Sequence, residues 1–98
     1  SVGGYLNYMQ NTIQKGISSD LKAAYASELA LVTDAAALVG RLNLLLCAGQ
    51  LSSATQTLII DALNATPVTT TSTDTVKLNR VAAAVLLVMA SAEYLAQK

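Results

Sequence analysis

The stretch Asn79-Arg80-Val81-Ala82-Ala83-Ala84-Val85-Leu86-Leu87-Val88-Met89-Ala90 is the most apolar part of this 98-residue chain. From Val81 to Ala90 it holds no polar residue, and Arg80 and Glu93 bracket it. A bilayer needs roughly 20 apolar residues in a row, so the run predicts a buried core helix and no transmembrane span. The composition around it agrees: 53% of the residues are hydrophobic, 12% are charged and the mean hydropathy is +0.47. So much apolar surface must be buried, which excludes a disordered chain. Alanine and leucine lose little entropy in helices, and the strand-favouring aromatics are nearly missing, with no Phe or Trp. The fold class is therefore all-α, and residues 1–98 suffice for a single domain with one modest core.

Working outward, Asp74 or Thr75 can cap this last helix, which we expect to begin near Val76. Ser91 offers a second cap with Glu93 in its first turn, so a separate final turn is expected over residues 92–97. Upstream lies Thr69-Thr70-Thr71-Ser72-Thr73, whose β-branched hydroxyl side chains compete with the backbone for hydrogen bonds and predict an exposed loop. Pro67 stops the helix before it, one that Ser52-Ser53 would cap and that carries Leu58, Ile59, Ala62 and Leu63. From Ala35 to Ala48, Leu38, Leu42, Leu45 and Leu46 form a wide apolar face beside Val39, with Gly49 in the position of a C-terminal cap. Thr33-Asp34 breaks the pattern ahead of it. Leu21, Tyr25, Leu29 and Val32 step by three or four along a further helix, with Ser18-Ser19-Asp20 as its caps. Gly4 to Lys15 places Tyr5, Leu6, Met9 and Ile13 on one stripe, closed by Gly16. The expected architecture is a compact bundle of about five short helices, with the Thr-rich loop before the last, long one.

Six basic and six acidic residues cancel, and no Lys/Arg cluster supplies the footprint that nucleic acid requires. The chain has no His, which removes Ser-His-Asp and Cys-His catalysis and the commonest zinc ligand. Cys47 is the one cysteine, unable to form an intrachain disulfide and flanked like a small buried hydrophobe. The acids Asp20, Glu28, Asp34, Asp61, Asp74 and Glu93 are spread out, with no pair at i,i+3 or i,i+4. Asp20, Asp34 and Asp74 read as helix caps. No catalytic, cofactor-binding or metal-ligating residue is assigned. Asn64-Ala65-Thr66 fits a glycan acceptor pattern, weakened by the Pro67 that follows.

Six residues are candidates for interaction instead. Arg41 and Arg80 each lie beside an apolar helix. Their stems can cover the core edge while the guanidinium reaches a helix-terminal carbonyl or Asp34, Asp61 or Asp74; the alternative is a bidentate grip on a partner's carboxylate or phosphate. Asn43 interrupts an apolar run and should tie its amide to a carbonyl of a neighbouring helix or loop. Leu44 and Val85 carry the apolar helix faces that a partner would cover. Tyr94, like Tyr5, Tyr8 and Tyr25, reads as a core-edge aromatic with its hydroxyl towards water.

Two stretches resemble a known family. Glu28-Leu29-Ala30-Leu31 followed by Ala37-Leu38-Val39-Gly40-Arg41-Leu42-Asn43-Leu44-Leu45-Leu46-Cys47-Ala48-Gly49-Gln50-Leu51-Ser52, and later Asn79 through Ser91-Ala92-Glu93-Tyr94-Leu95-Ala96-Gln97-Lys98, are similar to the C-terminal end of the bacterial domain of unknown function 1800 family. The resemblance spans residues 25–98. In that family the Arg-Leu-Asn-Leu-Leu-Leu helix, the Gly after it and a closing Ser-Pro-Glu-Tyr-Leu element recur in this order; here Ala92 replaces the Pro. The resemblance implies the C-terminal portion of a longer, secreted or periplasmic bacterial protein, and it brings no catalytic residues with it. A chain that starts at Ser1 without an initiator Met likewise leads us to expect a fragment or processed piece.

The expected function is a structural or interaction module. Its helices carry more apolar face than they need among themselves, and the remainder should pack on a longer parent chain or on further copies, as an oligomer or filament. The rival from another class is the non-catalytic C-terminal part of an exported bacterial enzyme, with Arg41, Asn43 and Arg80 supporting a site located elsewhere.

Overall fold

A computed structural model describes residues 25–96, which form four α-helices and no strand: α1 (Ala26–Leu29), α2 (Ala35–Cys47), α3 (Ser53–Asn64) and α4 (Asp74–Ala96). The expected helix over Gly4 to Lys15 and the caps at Ser18-Ser19-Asp20 lie outside the described residues, as do Tyr5 and Tyr8. The fold is all-α and compact, with four helices in the described residues where about five were expected for the whole chain.

Helix α4 is the spine. Leu78, Val81, Ala84, Val85 and Val88 follow one another at three- and four-residue steps and have no solvent exposure, as one stripe of a helix requires. Helix α2 packs on this stripe with Leu38, Val39 and Leu42, and α3 adds Ile59 and Leu63. Leu51 and Val68 close the core from the loops, Tyr25 and Val32 from the N-terminal side. By length and composition alone, Asp74–Tyr94 is also long and apolar enough to cross a membrane, which corrects the shorter span counted from the uninterrupted apolar run. A core helix passes the same test, and here the stripe faces α2 and α3.

The segment expected to continue as a helix through Val32 ends at Leu29. Leu31, Val32 and Asp34 then donate to Glu28, Leu29 and Leu31 at 3.0, 3.3 and 2.9 Å, three-residue turns that swing Val32 into the core and leave Asp34 extended. Asp34 then caps α2 by accepting from the Ala37 amide at 3.0 Å. At the other end the left-handed turn begins one residue before the expected glycine: Ala48 has φ 50° and Gly49 φ 75°, and the Gly49 amide returns to the Asn43 carbonyl at 3.0 Å. Ser52 caps α3 through the Thr55 amide at 3.1 Å, and the helix ends at Asn64, ahead of Pro67.

The cap of α4 is Thr73 in place of the expected Asp74 or Thr75. Its hydroxyl accepts from the Val76 amide at 3.2 Å, leaving Asp74 in the first turn, where a carboxylate favours the exposed amides. The expected break at Ser91 is absent. The Ser91 hydroxyl donates to the Leu87 carbonyl one turn back at 2.8 Å, so it is spent inside the helix and α4 runs on to Ala96.

Candidate functional site

The six candidate residues do not converge on one site. Arg80 is half-buried, and its guanidinium donates to the Leu63 carbonyl at 2.6 Å and, by its other terminal nitrogen, to the Thr66 carbonyl. Leu63 is in the last turn of α3, whose carbonyls have no partner further along the helix. Arg80 thus adds donors from α4 to the end of α3, where the Leu63 carbonyl also accepts from the Thr66 amide at 3.3 Å, and its fork is engaged within the chain.

Arg41 behaves differently. Its Nε stands 3.7 Å from Oε1 of Glu28, not near Asp34, Asp61 or Asp74 as expected, and that distance is an ion pair beyond hydrogen-bond length. Nε itself is buried without an acceptor. The contact ties α1 to α2. Asn43 is buried, and its side-chain oxygen accepts from the Leu51 amide at 3.0 Å. The tie to a loop was expected, but with the amide group donating; the structure uses the oxygen.

Val85 must be struck from any surface. It is fully buried on the core stripe of α4, because stripe and outer faces of that helix are both apolar and the sequence marks neither. Leu44 stands 68% exposed, and two further leucines join it: Leu45 at 55% and Leu58 at 72%. Leu45 was expected on the wide apolar face of its helix, beside Leu38, Leu42 and Leu46. Helices α2 and α3, which carry these three residues, pack against each other. The signal for them was present in the sequence. In Leu44-Leu45-Leu46, successive side chains are turned by about 100°, so three in a row cannot all face one core; only Leu46 packs against it. The same reasoning applies to Leu58-Ile59-Ile60, where Ile59 takes the buried position. Tyr94 is also exposed, near the far end of α4.

A shallow groove of about 330 Å³ lies between the Thr66–Val68 turn and α4, lined by Val76, Asn79, Arg80 and Ala83. Its charged group, Arg80, is committed to the α3 carbonyls. Among the described residues no three His, Cys, Asp or Glu side chains gather as metal ligands. Cys47 is a free, half-buried thiol whose pKa burial pushes up, which suppresses the reactive thiolate. What the described surface offers is aliphatic area, not a constellation of reactive groups. Compared with known proteins, the chain matches no family model, and no curated protein or solved structure aligns with it significantly.

Proposed function

We propose that this chain is a non-catalytic interaction module that buries the leucines of α2 and α3 against another polypeptide. A second copy of itself is the first candidate, and the remainder of a longer parent chain is the second. The observation that carries this reading is the solvent exposure of Leu44, Leu45 and Leu58 on two helices packed side by side. Large aliphatic side chains exposed on neighbouring helices are candidates for burial in a contact surface.

Sedimentation equilibrium over a hundred-fold concentration range tests the first candidate. Association should rise with concentration and weaken at least ten-fold when Leu44 and Leu58 are both changed to Lys. A monomer at every concentration rejects self-assembly and moves the occupant to a longer parent, which intact mass and N-terminal analysis of the natural product would identify. A mass distribution indifferent to both substitutions removes this face from the proposal.

A further inference from the structure

We draw no further inference here: the strongest candidate, the aliphatic face that Leu44 and Leu45 of α2 and Leu58 of α3 expose, belongs to the reading already proposed, and nothing in the structure shows what covers it.

Discussion

Asn43 is the single buried polar side chain of the described core, and it acts on a residue eight positions away. By accepting from the Leu51 amide it holds the reversal between α2 and α3, and Leu51 in turn is buried. Asn43→Leu keeps the branched outline of the side chain, at a larger volume, but strands that amide without a partner, so stability should fall by about 1–3 kcal/mol, the desolvation cost of an unsatisfied buried donor. Urea denaturation checks this; a loss under about 0.5 kcal/mol would mean water replaces the bond. Cys47 makes the other prediction at this scale. Burial raises its pKa in the folded chain, so the native state holds the thiol proton more tightly than the unfolded one. The sign follows: its contribution is complete below the unfolded thiol value of about 8.5 and is lost as pH climbs past it through the folded value. Wild type should therefore lose stability relative to Cys47→Ala between pH 8 and 10, as read from paired denaturation curves, and parallel curves would refute the shift.

At the scale of the element, three helices begin on a side-chain oxygen: Asp34 for α2, Ser52 for α3 and Thr73 for α4. Each satisfies one of the amides that a helix start leaves without a partner. Replacement of each by Ala should lower stability by about 0.5–2 kcal/mol, and because each cap bonds an amide of its own helix with no shared partner, the triple variant should approach the sum. Asp34→Asn, which keeps the accepting oxygen, should recover most of the loss at that site; chemical denaturation of the five variants decides it. The first two caps were legible because each is a good acceptor standing just before a periodic apolar segment. The third was not, since Thr69 to Thr75 is an unbroken run of residues that can all cap. Here local contacts of the loop select the start: Lys77 donates to the Thr70 carbonyl at 2.9 Å, and Ser72 accepts from the Thr69 amide at 3.0 Å, so the loop is wound up before Thr73. Ser91 failed for the complementary reason, because a serine inside a helix can turn its hydroxyl back on the preceding turn.

For the whole molecule, composition and three- and four-residue spacing made the all-α class and the buried identities of Leu38, Leu42, Ile59 and Leu63 legible. They left the outside of the bundle unread, because Leu44, Leu45, Leu58 and Val85 are alike in chemistry and differ only in where neighbouring helices stand. That difference yields the sharpest test of the arrangement. Val85 has no solvent exposure, so Val85→Asp forces either a buried carboxylate or the opening of the α2–α4 contact. Either costs several kcal/mol, a large part of the roughly 5–15 kcal/mol that holds a small domain together. Its helical circular dichroism should lose the cooperative thermal transition. Val85→Ala, which removes two methyl groups from a site of the same burial, should keep that transition and lose about 1–3 kcal/mol. Leu44→Lys sits in the last turn of α2, where a cation favours the helix dipole, and Leu58→Lys is on the outer side of α3. Both should unfold cooperatively within about 1 kcal/mol of wild type. If Leu44→Lys instead collapses the transition as Val85→Asp does, Leu44 lies in a core of this chain and the contact surface must be sought on another face.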